Sequence, residues 1–383
     1  MEPCVSLLRD LIAIESVNPS LVPGSAGEGA IAEAVAAAMR SAGLDVEVED
    51  VRPGRPNVVG VLDGRADAPS LMFCGHLDTV GVQGMRAPFT PVERGGRLFG
   101  RGAQDMKGGL AAMIDAARLL AGRRAVLGRL VVAAVVDEEY ASLGADALVT
   151  RWRADAAIVA EPTDLRIAVA HKGFAWLDVQ TAGRAAHGSR PQEGEDAIVR
   201  MGRVLNALER LDAELQGRPA HPLLGTASVH ASLIAGGQEL SSYPECCTLQ
   251  LERRTVPGEP ADLPEREIRR LLVALREEDS AFRGDVQLRF SRPAYETPAG
   301  HPLPRILGEV VGATSRPAAP VGMSFWTDAA VLGSAGIPTV LFGPAGAGLH
   351  GPEEYVEIDS VLACRDALAA LAERWWTERP PGG

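Results

Sequence analysis

Two histidines and several carboxylates stand where strand ends would present them. The first group is Gly75-His76-Leu77-Asp78-Thr79, directly after the apolar run Leu71-Met72-Phe73-Cys74. Residues two apart on a strand point the same way, so His76 and Asp78 project together from the strand's end. An imidazole bound to metal needs a partner for its other nitrogen, and Asp78 is close enough in sequence to supply one. A His–Asp pair that only satisfies itself in a loop is the alternative. The second group is the glycine-rich bend Gly100 to Gly109 around Asp105. It matches neither a phosphate-loop nor a dinucleotide fingerprint. Its glycines let the backbone carry Asp105 into a crowded place, where two carboxylate oxygens could bridge two cations.

Asp137-Glu138-Glu139 follows the run Val131 to Val136, Glu161 follows Ala156 to Ala160, and His350 comes soon after Thr339 to Phe342. Acids at the exit of a buried strand destabilise unless paired or bound to metal. Neighbouring glutamates can also divide the work, one coordinating and the other handling protons. A solvated acidic turn is the alternative for each group alone. Together, five such groups deliver nitrogen and oxygen ligands without sulfur toward one sheet edge. That set suits catalytic zinc, cobalt or manganese better than structural zinc. Without cations the acids would repel one another.

The elements that must position these groups alternate. Helices are expected at Val5 to Ile14, Glu28 to Ala42 and Lys107 to Leu120. Strands are expected at Asp45 to Glu49, Asn57 to Leu62, Leu71 to Gly75, Leu130 to Val136 and Ala156 to Ala160. Continuous apolar strands alternating with helices predict an α/β fold, a mostly parallel sheet with helices on both faces. After His171 the order becomes βαββαβ, from Phe174 to Phe290, which is the split-βαβ, ferredoxin-like α+β unit. From about Pro298 the α/β rhythm resumes and ends in a helix from Asp359 to Trp375. The expected division is therefore 1–172 and 297–383 for the catalytic, metal-binding domain and 173–296 for an inserted lid domain.

The 383 residues exceed one typical core, and aromatics make up only 4%, so Ala, Val and Leu must do most of the packing. A net charge of -12 argues against nucleic acid as a partner. Five scattered cysteines without a C-x-x-C pair indicate neither a disulfide framework nor a thiolate zinc site. Glu2, Arg9 and Asp10 interrupt the first apolar stretch, and no apolar run is long enough to span a bilayer. A cytoplasmic protein without membrane partners is expected.

The chain resembles the metallopeptidase family that contains acetylornithine deacetylase, succinyl-diaminopimelate desuccinylase, glutamate carboxypeptidase and aminoacylase. The resemblance covers essentially the whole chain. It rests on G-H-L-D-T-V, G-R-G-A-Q-D-M-K-G-G, D-E-E, A-E-P-T, A-A-H-G-S-R-P and G-P-A-G-A-G-L-H in combination. The resemblance implies two divalent metals, most simply Zn2+, with Co2+ or Mn2+ as substitutes. His76 and Glu161 would bind one, Glu139 and His350 the other, and Asp105 would bridge them. Glu138 would be the general base and Asp78 would orient His76. A cis peptide is implied between Asp105 and Met106.

In the lid, His187 would reach the partner subunit's active site and steady the oxyanion, which implies a homodimer joined through the lids. Arg254, rather than Arg253, would grip the substrate carboxylate. Ser241 stands where the family often has asparagine, a departure at a substrate-binding place. The implied reaction is cleavage of the amide bond of an N-acyl amino acid, acetylornithine deacetylase-like. A carboxypeptidase or dipeptidase acting on a short peptide is the second reading. A catalytically silent binding module would need a missing ligand or base, and none is missing. The remaining histidines, His171, His221, His230 and His301, are read as surface or capping residues.

Overall fold

The computed structural model describes residues 2–65, 67–122, 126–312 and 319–377. They form two compact units, one of Met1–Val169, Thr297–Val321 and Thr327–Gly383, the other of Ala170–Glu296 with Gly322–Trp326.

The first unit is built on a sheet ordered Asp45–Arg52, Arg55–Leu62, Leu130–Val135, Leu71–His76, Ala156–Val159, Thr339–Leu341 and Ala168–His171, the last strand running on into the second unit from Ala170. Its centre is parallel: Leu71–His76 pairs in parallel with Leu130–Val135 and Ala156–Val159, and Ala156–Val159 with Thr339–Leu341. The flanks are antiparallel. The outermost hairpin turns on Pro53 and Gly54, and Gly54 has φ +74°. A proline followed by a residue with positive φ is the requirement of a type II turn.

Leu71–His76 and Leu130–Val135 are buried along their whole length. Alternate residues separate to opposite faces. Leu71, Phe73, Leu130, Val132, Ala156 and Ile158 join the core with helices Pro3–Ile12, Gly29–Ser41, Gly108–Gly122 and Ile358–Thr377. Met72, Cys74, Val131 and Ala133 are buried but belong to the other face. Helices Leu143–Arg151 and Ala329–Ser334 pack on one another and on the sheet there. Two-sided cover explains why these strands read as unbroken apolar runs. The helices Leu143–Arg151, Pro302–Gly312 and Ala329–Ser334 were not anticipated. Nor was a small sheet of Gly346–Ala347, Tyr355–Glu357, Arg97–Phe99 and Val92–Arg94, whose two- and three-residue strands carry no readable period.

The second unit runs strand Gly173–Ala182, helix Ala197–Gln216, strands Ser228–Gly236 and Cys246–Thr255, helix Leu263–Glu278, strand Gly284–Arg292. In space the four strands follow the order second, third, first, fourth, antiparallel throughout. That is the ferredoxin-like arrangement read from the βαββαβ order. Ala175, Leu177, Val179, Leu249 and Leu251 pack against both helices. Ser228–Gly236 is an edge strand, and it is exposed from His230 onward.

Candidate metal centre

The strand Leu71–His76 ends on His76, which is 1% exposed. Its Nδ1 donates to the main-chain carbonyl of Asp78 at 2.9 Å, which leaves Nε2 as the free donor atom. The Asp78 carboxylate lies farther off, at 3.7 Å from Nδ1. It accepts instead from the Asn18 side chain at 2.7 Å and from the amides of Glu138 and Glu139, both at 3.1 Å. The orientation expected of Asp78 toward His76 thus comes through its carbonyl, and its carboxylate holds the Glu138-Glu139 turn.

Asp105 sits in a π-helical turn, Ala103–Lys107, that opens the helix Gly108–Gly122. Asp105 and Met106 leave helical angles, and the peptide between them is cis, as the resemblance implied. The two Asp105 oxygens face different histidines. Oδ1 is 3.0 Å from Nε2 of His76, and Oδ2 is 3.3 Å from Nε2 of His350. On the His76 side stand Glu161 at 3.7 Å and Glu138 at 4.0 Å. On the His350 side stands Glu139 at 3.2 Å. Donor atoms of His76, Asp105 and Glu139, and of His76, Glu138 and Glu161, lie within 4.8 Å of one another.

Local sequence explains the approach. Asp137 has φ 69°, a sharp turn straight out of the buried strand that aims the next two amides at Asp78. Glycine at 109 is required because a Cβ there would stand 2.2 Å from the carbonyl oxygen of Ala160, the residue before Glu161.

The charges are poised. Burial drives the Glu138 carboxyl well above the usual carboxylate range, and the charge of Glu161 adds to it. Burial and the charge of Asp105 push Glu139 up to about 7. Burial also drives Glu161 well up. Burial would raise Asp105 too, but its hydrogen bonds with His350 and His76 outweigh that and hold it low. Hydrogen bonds to Asp105 and Glu139 raise His350 to about 10. Four acids thus crowd two imidazoles, and Oε1 of Glu139 is buried without a hydrogen-bond partner among the described residues. Imidazole and carboxylate donors of this kind fit two divalent cations, whose charge would offset the repulsion among the acids.

His187, Ser241 and Arg254 lie in the second unit. The His187 loop runs beside Ser241: Gly188 donates to the Ser241 carbonyl at 2.6 Å, and Nδ1 of His187 meets the Ser189 hydroxyl at 2.8 Å. Both His187 and Ser241 are exposed. Arg253 is buried and consumed by Glu259 at 2.8 Å and Glu267 at 3.0 Å. Arg254, on the opposite face of the strand, is half-buried, donates to the Ser324 carbonyl at 2.6 Å and lies over the Phe174 ring.

Several supports of the site belong to no motif in the sequence. Arg55 bonds Glu28 and lies 2.8 Å from Asp137, while Asn18 bridges Asp78 and Asp137. Glu354 accepts from the amides beside Asp105. None belongs to a strand-end group, so spacing could not expose them. His171 corrects an expectation, because it is fully buried, with Nδ1 bonded to the Lys172 carbonyl at 2.9 Å.

Comparison with known proteins agrees with this architecture. An acetylornithine deacetylase of Edwardsiella ictaluri (strain 93-146) is 30% identical over 96% of each chain. One from Myxococcus xanthus is 31% identical over 87% of this chain and 88% of its own. An N-formyl-4-amino-5-aminomethyl-2-methylpyrimidine deformylase of Bacillus subtilis (strain 168) is 30% identical over 99% and 96%. A solved tripeptidase of Staphylococcus aureus shares the fold, with a TM-score of 0.82, 18% identity and coverage of 98% and 99%. A family model described as peptidase family M20/M25/M40 matches residues 72–374. With a match of that extent and relatives at 30% identity along nearly its whole length, the chain belongs to peptidase family M20/M25/M40, a metallohydrolase family.

Proposed function

We propose that the protein is a two-metal amidohydrolase, zinc-dependent in its simplest form, that cleaves N-acyl amino acids of the acetylornithine type. The observation that carries the reading is the division of Asp105, with one oxygen toward His76 at 3.0 Å and the other toward His350 at 3.3 Å. His76 and Glu161 would hold one ion, Glu139 and His350 the other, with Asp105 between them. When bound, the ions would lower the pKa of water and polarise the scissile carbonyl. Glu138 takes the water's proton and returns it to the leaving amine. Burial raises its affinity for protons, the direction required of a group that accepts a proton and then returns it. Asp78 keeps Glu138 and Glu139 in their separate roles by holding both amides.

Residues 1–172 and 297–383 form the catalytic domain in this reading, and 173–296 a lid. Arg254 grips the substrate carboxylate, Ser241 contributes a hydroxyl, and His187 serves the oxyanion in a partner subunit. The saturation of Arg253 by two glutamates supports assigning the substrate contact to Arg254, which among the described residues bonds only the Ser324 carbonyl and has its one carboxylate neighbour, Glu252, at 3.8 Å. The exposed edge strand Ser228–Gly236 supports pairing between lids. The acetylornithine deacetylase and deformylase relatives support removal of a small acyl group.

The test is a screen of the Zn2+- and Co2+-loaded protein. N-acetyl, N-succinyl and N-formyl amino acids are compared with a few dipeptides by release of primary amine. Turnover on an N-acetylated basic amino acid above all dipeptides is expected. Turnover on dipeptides alone would replace this reading by the dipeptidase, and none with two metals bound would reject both.

A further inference from the structure

The turn that begins at His350 ends in Glu354, whose carboxylate has no part in the chemistry above. It is 1% exposed, yet it accepts four hydrogen bonds from a single neighbouring segment. Oε1 accepts from the amides of Gln104 at 2.9 Å and Asp105 at 3.1 Å. Oε2 accepts from the amide of Gly102 at 2.9 Å and from Nη1 of Arg101 at 2.7 Å. Arg101, also 1% exposed, reaches back with Nη2 to the carbonyl of Gly351 at 3.2 Å. The pairing of Phe99 with Tyr355, and a bond from the Gly100 amide to the Glu354 carbonyl at 3.2 Å, close the same junction.

The amides of Gly102, Gln104 and Asp105 open a helical turn and have no partner within it, and Gly102 offers no side chain to cap them. A carboxylate from a distant turn does so, 249 residues away from Asp105 in sequence. A buried charge is tolerated when it is met by this many donors, and truncating one partner strands the rest. The junction therefore ties together two turns: one presents Asp105, the other presents His350.

We propose that Glu354 is a positioning residue for the metal pair, fixing the direction of the Asp105 carboxylate relative to His350. The inference rests on the reading of Asp105 and His350 as ligands. A residue needed only for the fold would stabilise the apoprotein and leave its affinity for metal unchanged. A positioning residue changes affinity in a protein that remains folded.

Apoproteins of the full chain, as wild type, Glu354→Gln, Arg101→Lys and the ligand control His350→Ala, are titrated with Co2+. Binding is followed by visible absorption and calorimetry, and the fold by circular dichroism and melting. Glu354→Gln should fold and bind Co2+ about 10–100-fold more weakly, the range for partners that orient metal ligands. Arg101→Lys keeps the charge but loses the fork, so it should shift affinity in the same direction by less. Wild-type Co2+ affinity in Glu354→Gln overturns the proposal, whatever its melting temperature. If Glu354→Gln fails to fold, Arg101→Lys decides: unchanged affinity, or collapse of that variant too, assigns the junction to the fold and overturns the proposal. If His350→Ala still binds two ions at wild-type affinity, the ligand reading fails instead, and the two failures are distinct.

Discussion

Glu138 and Glu139 are neighbours with opposite surroundings. Glu139 faces His350 at 3.2 Å, whereas Glu138 stands 4.0 Å from His76 with the charge of Glu161 beside it. Glu138→Gln should therefore keep close to two metals per chain, by elemental analysis, while turnover collapses by several orders of magnitude. Loss of metal, or near-normal turnover, would reverse the division between the two. His171 makes a separate case in the second unit. Burial lowers its pKa to about 4, from an ordinary value near 6.5. The folded protein prefers the neutral ring, and the unfolded chain takes up the proton first as pH falls. Its contribution is complete above about pH 6.5 and is lost toward pH 4, on the order of 3 kcal/mol across the window. Denaturant titrations at pH 7.5 and 4.5 should show a larger acid loss in wild type than in His171→Asn. Equal losses would place the acid sensitivity elsewhere.

Among the elements, the central strands work by ending together. Leu71–His76, Leu130–Val135 and Ala156–Val159 are parallel and in register, so their exits release His76, Asp137-Glu138-Glu139 and Glu161 at one edge. Ligands gather at such carboxyl ends in open α/β sheets. The helix Gly108–Gly122 presses directly on that edge through Gly109. Gly109→Ala would drive a methyl against the Ala160 carbonyl, where the ideal position is 2.2 Å from the oxygen. Relaxation must separate helix from strand, which should lower unfolding free energy by about 1–3 kcal/mol in urea titrations. Because Glu161 follows Ala160, metal affinity should fall with it. A variant with wild-type stability and affinity would show that this contact has slack.

For the molecule as a whole, the prediction concerns subunits. His187 is exposed on a loop of the second unit, where its Nδ1 is taken by Ser189 and its ring is otherwise available. Leu233 and Ile234, on the edge strand of the same unit, are 65% and 54% exposed, a surface suited to a two-fold partner. If His187 acts across a dimer, His187→Ala should lower turnover by about 10²–10³ without metal loss. Mixing His187→Ala with Glu138→Gln chains should restore activity, because one site of each hybrid keeps both groups. Mixed samples that remain inactive after subunit exchange, or a fully active monomer in sedimentation, would rule out action in trans. In the described residues no helix is long and apolar enough to cross a membrane.

Periodicity and position at strand ends were enough to read the sheet, the βαββαβ unit and five of the groups that meet at the candidate metal centre. Apolar runs such as Leu71 to Cys74 have to be buried on both sides, and a polar residue next along the chain has to emerge at the edge. Spacing alone did not identify each glutamate's partner, because Glu138 and Glu139 are equivalent until the turn at Asp137 points them apart; only the family resemblance assigned Glu139 to His350 and Glu161 to His76. The supports at Asn18, Arg55 and Glu354 were invisible for a related reason. The partners that tie them to the site lie 27 to 253 residues away in sequence, as in Arg55 to Glu28 and Arg101 to Glu354. Only tertiary folding makes them neighbours. The buried state of His171 belongs with them, since a lone histidine beside a lysine reads as surface until Tyr295 and Trp326 close around it. Local pattern determined which residues leave the strands, and long-range packing decided which atoms they meet.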